Sequence, residues 1–182
     1  MDANCDKQTS MNNAKPLKVE MPSDREIVIT RVFKAPRRLV FDSITKPDLV
    51  RQWLLGPPGW TMPVCEIDTR IGGANRFLWC GPDGKQMGSR GVTREFVPTE
   101  RFVATERFDD AWYAGEALVT YNLTENDGIT TLTLTLLYES RETRDMVLKT
   151  PMDKGMAVSY DRLENLLESQ ASGDLQKGTS AC

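Results

Sequence analysis

The sequence predicts an α+β fold in which one long C-terminal helix covers a single face of an antiparallel sheet of about seven strands. Residues 150–169 place bulky apolar side chains on one side of a helix and most of their charged side chains on the other. Residues 61–138 instead alternate in hydrophobicity between short turn sequences, which is typical of antiparallel strands. The helix is the only element long enough to cover such a sheet.

Composition and charge narrow the classes of function. The chain has 182 residues, a net charge of −3 and 40% hydrophobic residues, which is typical of one globular domain with its own core. No cluster of Lys and Arg is interleaved with aromatic residues, so we expect no nucleic acid partner. No apolar run is long enough to span a membrane and the N-terminus lacks a signal sequence, which predicts a cytoplasmic protein. We expect a monomer or a homodimer.

The chain contains no histidine. This excludes histidine-based catalytic triads and histidine-ligated metal sites. The four cysteines, Cys5, Cys65, Cys80 and Cys182, form no CxxC pair, so a structural zinc site is not expected either. We therefore predict that the protein needs no metal and no cofactor.

The elements before the sheet follow from local signals. Residues 1–24 are polar and aperiodic and are predicted to be a disordered extension, as are residues 170–182 at the other end. Residues 25–34 alternate and are rich in β-branched side chains, which predicts the first strand. Pro36 and Pro47 open two short helices, which cover residues 36–44 and 46–54, and Gly56-Pro57-Pro58-Gly59 then breaks the chain.

Six further strands are separated by turn sequences rich in Gly, Pro, Asp and Asn. The first two meet at Gly72-Gly73, which has the form of a two-residue hairpin loop. The predicted strands are 61–71, 74–80, 86–97, 101–108, 115–124 and 129–138.

The last of these hairpins, between the predicted strands 115–124 and 129–138, sorts its apolar and polar residues onto separate faces. Whether its loop is Asn126-Asp127 or Asp127-Gly128, odd positions of the first strand share a face with even positions of the second. One face is then apolar: Ala117, Val119, Tyr121, Leu123, Leu132, Leu134, Leu136 and Tyr138. The other is polar: Thr120, Asn122, Thr131, Thr133 and Thr135. This pattern indicates a sheet that is covered on one side only.

The hairpin at Gly72-Gly73 has two mixed faces. Pairing Ile71 with Ala74 places Cys65 opposite Cys80, with Cα atoms about 5.5 Å apart and within disulfide range. A cytoplasmic location favours two buried thiols over a disulfide. The opposite face is predicted to point inward, and its members include Asp68, Phe77 and Trp79.

The apolar side of the C-terminal helix carries small residues in its first half. Gly155 and Ser159 could simply let the helix backbone approach the sheet, or they could roof a hollow between helix and sheet. From the helix alone the first interpretation is the simpler one.

Six short sequences follow one another within residues 25–169. They are Phe33-Lys34-Ala35-Pro36 with Val40-Phe41, Lys46-Pro47-Asp48 with Gln52-Trp53, Asp68-Thr69-Arg70-Ile71-Gly72-Gly73, Asp83-Gly84, Glu95 with Pro98-Thr99-Glu100-Arg101, and Met152 with Gly155-Met156. In order and spacing they resemble the START-like (SRPBCC) superfamily, and within it the branch named for the activator of the heat-shock-protein-90 ATPase. The resemblance implies a helix-grip fold, in which a curved sheet wraps the long helix around a cavity. It makes a hollow beneath Gly155 the favoured interpretation.

Three functions are compatible with this resemblance, because the superfamily contains ligand binders, cyclases and co-chaperones. The first is a module that holds a small apolar or aromatic molecule between sheet and C-terminal helix, with a stress- or chaperone-related role. The second is a co-chaperone-type protein-interaction domain, which is disfavoured because residues 1–24 are too short to form the further N-terminal domain of eukaryotic co-chaperones. The third is a cyclase-like or hydrolytic enzyme acting through carboxylates. A desolvated carboxylate in the cavity would favour the third function, and an empty apolar cavity would favour the first.

No catalytic residue or metal ligand stands out, but a set of cavity residues can be predicted. Trp60 and Trp112 are favoured as ligand contacts because loops rim cavities. Asp68 and Arg70 could form a structural ion pair, or Arg70 could anchor a ligand carboxylate. The predicted ligand-binding residues are Trp53, Trp60, Asp68, Arg70, Phe77, Trp79, Trp112, Tyr121, Met152, Gly155, Met156 and Tyr160.

Overall fold

The computed structural model, which describes residues 17–110, 113 and 115–178, shows the predicted α+β helix-grip architecture. Its strands form one antiparallel sheet in the order β1-β2-β8-β7-β6-β5-β4-β3. The elements are β1 (Lys18–Glu20), β2 (Glu26–Phe33), α1 (Arg37–Thr45), α2 (Pro47–Trp53), β3 (Thr61–Ile67), β4 (Ala74–Cys80), β5 (Gln86–Val97), β6 (Arg101–Phe108), β7 (Ala117–Asn126), β8 (Ile129–Leu137), α3 (Arg141–Leu148) and α4 (Met152–Gly178).

One face of the sheet, called the inner face here, is covered by helices. Its side chains from β2 are buried, and they include Ile27, Ile29 and Phe33. The ring of Phe33 meets that of Tyr160 on α4 edge to face, with centroids 6.0 Å apart. The short helices α1 and α2 also contact α4, so three helices together cover the inner face.

A buried charge links the sheet to α4. Arg31 lies on the inner face of β2 and is 2% exposed. Its Nη2 donates to Oδ1 of Asp161 at 2.8 Å and to Oε2 of Glu164 at 2.7 Å. Two carboxylates, one turn apart on the helix, therefore neutralise one buried guanidinium.

The β7–β8 hairpin confirms the predicted register. Asn126 pairs with Ile129 and Tyr121 with Leu134, so the apolar set faces inward and the threonine-rich set faces outward. The two loop residues, Asp127 and Gly128, both have positive φ, which is the conformation that a tight two-residue loop between twisted strands requires.

The predicted register of the β3–β4 hairpin is wrong. Ile67 pairs with Asn75 and Cys65 with Phe77, so residues 68–73 form a six-residue loop rather than a two-residue turn. Cys65 therefore does not lie opposite Cys80, and both are free thiols. The inward-facing set changes too, because Cys65 and Ile67 now share a face with Phe77.

Both ends of the domain extend further than predicted. Residues 18–20 form the edge strand β1, which pairs with β2, so the predicted disorder of residues 1–24 is wrong there; residues 1–16 lie outside the described residues. The helix α4 continues to Gly178, past the predicted end at residue 169, while residues 179–182 are likewise outside the described part. The helix α3 was not predicted, although Ser140 caps it by accepting a hydrogen bond from the Thr143 N–H.

The far edge strand, β3, is irregular. A register shift interrupts its pairing with β4 between Thr61 and Val64, and Pro63 lies within it. The guanidinium of Arg51, on α2, donates to the carbonyl oxygens of Met62, Pro63 and Cys65 at 2.8–3.1 Å. A side chain of α2 thus donates hydrogen bonds to three carbonyl oxygens of the edge strand.

Gly155 has open space where a side chain would stand. No atom outside its own turn of helix lies within 4 Å of a Cβ built there, so close approach to the sheet does not require this glycine. We expect Gly155→Ala to raise the free energy of unfolding by about 1 kcal/mol, because alanine is the better helix former. Urea unfolding checks this, and a clear loss of stability would contradict the open environment.

Within the described residues, none of the helices combines the length and apolar character needed to cross a bilayer.

Candidate functional site

A cavity of about 50 Å³ lies between the inner face of the sheet and the α1–α2 segment. Ile44, Val50, Trp53 and Leu54 border it from the helical side. The apolar side chains of the sheet that border it are Ile67, Phe77, Phe102, Ala104, Val119 and Tyr121. The cavity is therefore walled mainly by aromatic and aliphatic groups, as ligand sites are.

One acidic side chain, Glu106, borders this cavity among the described residues. It lies on the inner face of β6, where its strand neighbour on β7 is Ala117. The hydroxyl of Ser89, on β5, donates to Oε1 of Glu106 at 3.4 Å. Glu106 is half-buried as a whole residue, and protein surrounds its carboxyl group.

Burial raises the pKa of Glu106 to about 7, and the hydrogen bond from Ser89 opposes this rise. No Lys or Arg in the described part of the chain forms an ion pair with it. Arg90 also borders the cavity, but its exposed guanidinium is 3.3 Å from Oδ1 of Asp109. Among the described residues, the carboxyl group therefore lacks a positive partner that would keep it ionised.

Three tyrosines surround this region with neutral hydroxyl groups. Burial and then the Glu106 charge raise the pKa of Tyr113 to about 12. The same two causes raise the pKa of Tyr121 well above its usual range. For Tyr138, burial comes first, followed by Tyr113 and Glu106. Of these four groups only Glu106 changes its protonation near neutral pH.

The raised pKa of Glu106 predicts that the free energy of unfolding depends on pH. Its value of about 7 lies above the reference value of 4.5, so the folded protein holds this proton more tightly than the unfolded chain does. The resulting stabilisation is complete below pH 4.5 and is lost as the pH rises through 7. We expect Glu106→Gln, which cannot titrate, to gain stability relative to the parent between pH 5 and pH 8.

Urea unfolding of the parent and of Glu106→Gln at pH 5 and at pH 8 measures this difference in the free energy of unfolding. All other titrating groups are common to the two proteins, so their contributions cancel. A difference in stability that stays constant with pH would show that Glu106 is ionised throughout.

Three of the predicted site residues meet at the cavity: Trp53, Phe77 and Tyr121. The indole Nε1 of Trp53 donates to the Ser43 carbonyl oxygen at 2.8 Å. The Tyr121 ring stacks on Phe102, with centroids 6.2 Å apart. This hydrogen bond holds Trp53, and this ring contact holds Tyr121, in place on the cavity wall.

Other predicted residues lie beside the cavity rather than on it. Trp60 and Trp79 belong to a separate apolar cluster around Val50, Met62 and Cys65, and the Trp79 indole donates to the Leu54 carbonyl oxygen at 2.7 Å. Burial raises the pKa of the Cys65 thiol in this cluster to about 11, which keeps it protonated. Trp112 lies outside the described residues.

The predicted residues of α4 do not border this cavity. Tyr160 is completely buried behind Trp53, with the two rings stacked at 5.8 Å. Met152 and Met156 pack against the main core. Of the described residues that border the cavity, none belongs to α4, so α1 and α2 form the wall that the sequence assigned to the long helix.

Asp68 and Arg70 form an ion pair in the β3–β4 loop. The Nε of Arg70 donates to Oδ1 of Asp68 at 2.9 Å, and this hydrogen bond lowers the pKa of Asp68 to about 2. The Thr93 hydroxyl donates to the Asp68 carbonyl oxygen at 2.7 Å. The Arg70 side chain is 86% exposed and lies away from the cavity, which supports the structural alternative for this pair.

Glu106 was not among the predicted site residues, although the sequence carries a signal for it. On the strand 101–108 the even positions Phe102, Ala104 and Phe108 are apolar, and Glu106 interrupts this alternation. A charged residue on the otherwise apolar face of a strand indicates either a buried partner or a functional group. Within the described residues, no group of three or more Cys, Asp or Glu side chains is placed to hold a metal ion.

Known proteins share this fold and sequence pattern. Residues 34–168 match the family described as "Activator of Hsp90 ATPase homolog 1-like protein". A Rhodobacter sphaeroides protein of known crystal structure is 29% identical, with a TM-score of 0.81 over 85% of this chain and 99% of that one. A Chromobacterium violaceum protein is 28% identical, with a TM-score of 0.66 over 80% of this chain and 99% of that one.

A Mycobacterium smegmatis protein, 24% identical with a TM-score of 0.74 over 84% of this chain and 97% of that one, shares the fold. No curated protein matches the chain. The family match begins directly after β2 and ends about two thirds of the way along α4, and it includes every strand that borders the cavity. The chain therefore belongs to the Activator of Hsp90 ATPase homolog 1-like family, within the START-like superfamily that its sequence resembles.

Proposed function

We propose that this protein binds a small, mostly apolar molecule in the cavity between the inner face and the α1–α2 segment. The observation that carries this proposal is the aromatic and aliphatic wall around a single carboxyl group, Glu106. Close packing for stability alone disfavours both such a space and a buried carboxyl group that lacks an ion-pair partner among the described residues. Family membership supports a stress- or chaperone-related role, and we propose that the binding takes place in the cytoplasm.

The size of the cavity limits the part of the ligand that it holds. A volume of about 50 Å³ is smaller than the engineered cavity of about 150 Å³ that takes up benzene. The closed form thus accommodates a fragment of a few heavy atoms. A larger ring requires a side chain of α2, such as Trp53, to move.

The test adds a hydrocarbon and a ketone of a few heavy atoms, propane and acetone, and follows the NMR signals of the methyl groups of Val50 and Val119, which border the cavity. We expect saturable shifts that are confined to the cavity. Ala104→Val adds two carbon atoms on the cavity wall and should abolish them. The matched control Thr133→Val, on the outer face of β8, should leave them unchanged.

Two outcomes would contradict the proposal. One is the absence of saturable shifts with either compound. The other is equal binding in Ala104→Val and the parent, which would place the binding elsewhere. Independently of this test, native mass spectrometry of protein purified from its own cells would identify any retained natural ligand.

A second candidate function is acid–base catalysis on the bound molecule. The desolvated carboxyl group of Glu106 is the feature expected above of an enzyme rather than of a simple binder, because a carboxyl group with a pKa of about 7 can both donate and accept a proton near neutral pH. For a ligand that is turned over, Glu106→Gln should preserve binding and abolish turnover. Full turnover by Glu106→Gln would exclude this candidate.

A further inference from the structure

We propose that two copies of this chain form a dimer through the outer face of the sheet, the face turned away from α1, α2 and α4. A two-fold axis crosses the strands at the middle of this contact. Each strand then lies over the same strand of the second copy, which runs in the opposite direction.

Two rows of side chains cross the outer face, and each row takes one residue from each of six neighbouring strands. Strand pairing places the first row in the order Glu20, Val28, Thr135, Thr120, Val103 and Glu95. The second row, two positions away along every strand, has the order Lys18, Thr30, Thr133, Asn122, Arg101 and Val97. Between the two rows lie buried residues of the inner face, such as Ile29, Leu134 and Phe102, so both rows point outward. None of the residues in these rows borders the cavity.

The middle of both rows is uncharged, although 27% of the residues in the chain are charged. The strands β2, β8 and β7 contribute only Val, Thr and Asn side chains to them. Polar side chains are usual on a solvated sheet face, but charged ones would have to lose water when that face is covered. A threonine hydroxyl both donates and accepts hydrogen bonds, so this surface can pair with a copy of itself.

Charges of opposite sign stand at the ends of the two rows. Glu20 and Glu95 end the first row, while the second row has Lys18 at one end and Arg101 near the other. Within one chain they form the ion pairs Lys18–Glu20 at 2.8 Å and Arg101–Glu95 at 2.9 Å. These four side chains are 38–66% exposed, so they can also reach a second molecule.

The order of these charges selects the direction of the two-fold axis. An axis between the rows places the first row of one copy over the second row of the other. Lys18 then faces Glu20 of the second copy, and Arg101 lies next to Glu95 of the second copy. An axis along the strands would instead place Glu20 over Glu95 of the second copy, where like charges repel. Opposite charges therefore favour the axis that crosses the strands.

The outer face is large enough for a reversible contact. Six strands spaced about 4.8 Å apart span about 25 Å, and four outward residues on a strand cover about 25 Å in the other direction. The contact thus buries about 600 Å² per copy, the low end for specific interfaces. Antiparallel sheets in β-sandwiches pack face to face in this way, with strands about 30° apart.

Sedimentation velocity of the full chain, from about 1 μM to about 1 mM, tests the dimer. We expect the mass to rise from 20.5 kDa towards twice that value, as weak interfaces associate in the micromolar range. Thr135→Arg places two like charges in the middle of the contact and should leave the protein monomeric. Circular dichroism and urea unfolding establish that this variant is folded.

A charge-exchange experiment tests the direction of the axis. Lys18→Glu and Glu20→Lys should each raise the dissociation constant about tenfold, because each opposes like charges at two symmetric contacts. An equimolar mixture of the two variants should regain the parent affinity, since both positions are acidic in one copy and basic in the other. The matched control Lys154→Glu, on the exposed side of α4, changes the net charge as Lys18→Glu does and should leave the dissociation constant unchanged.

Three results would overturn the inference. A parent that remains monomeric at about 1 mM has no such contact. A dimer of unchanged affinity in folded Thr135→Arg would use another surface. A mixture of Lys18→Glu and Glu20→Lys that associates no better than either variant alone would exclude the axis that crosses the strands.

Discussion

Trp53→Ala is expected to lower the free energy of unfolding by about 3–5 kcal/mol, the usual range for deleting a large buried aromatic side chain. Trp53 is 1% exposed, stacks on Tyr160 and donates to the Ser43 carbonyl oxygen. Its removal leaves a void and an unpaired carbonyl group in the same place. Urea unfolding measures the loss, and a value below about 1 kcal/mol would contradict this packing.

The same variant should change what the cavity accepts. Deleting the indole enlarges the existing space of about 50 Å³, so Trp53→Ala should bind benzene and be stabilised by it. The control Trp53→Phe keeps most of the ring volume, should lose less stability and should not respond. A response to benzene by the parent would show that its α2 wall already opens.

Asp161→Asn combined with Glu164→Gln is expected to cost about 3–5 kcal/mol, because it leaves a buried charge without a counter-charge. Arg31 is 2% exposed and both of its acidic partners are on α4. Neither amide can neutralise the guanidinium, which would then be buried alone. Chemical denaturation at neutral pH and moderate salt gives the measurement.

The reverse deletion provides the control. In Arg31→Met the two carboxylates remain, but their side chains are 45% and 23% exposed, so water can solvate them. We expect a smaller loss than in the double variant, and a partial recovery when Arg31→Met is combined with both amide substitutions. A larger loss in Arg31→Met alone would mean that its aliphatic stem, rather than its charge, provides the stabilisation.

Strand register could be predicted from the sequence where the loop and the hydrophobic alternation allow only one pairing. The β7–β8 register was predicted correctly because a two-residue loop and strict alternation allow one solution. The β3–β4 register was not, because Gly72-Gly73 imitates such a loop. The true loop is longer and is held by the Asp68 carbonyl contact with Thr93, a side-chain interaction that no periodicity reveals.

The cavity shows a different limit. Small residues on α4 suggested a hollow beneath Gly155, but the space lies against α1 and α2. An unfilled volume depends on how side chains from several elements pack together, and a helical wheel shows only one of them. Glu106 was predictable in principle, since it alone breaks the apolar alternation of its strand. Trp53, Phe77 and Tyr121 were predicted because aromatic side chains facing a sheet interior commonly border such spaces.

The two edge strands of the sheet, β1 and β3, affect how readily this protein aggregates at high concentration. An open sheet can add strands from other copies and grow into fibres when its edges offer a continuous row of free backbone groups. Within the described residues, β1 offers only three residues, and two of them, Lys18 and Glu20, are charged. At the other margin Pro63 removes a donor, and Arg51 already binds three carbonyl oxygens. We therefore expect Arg51 to limit edge-to-edge association as well as to hold α2 against β3, because its guanidinium occupies carbonyl groups of that edge strand.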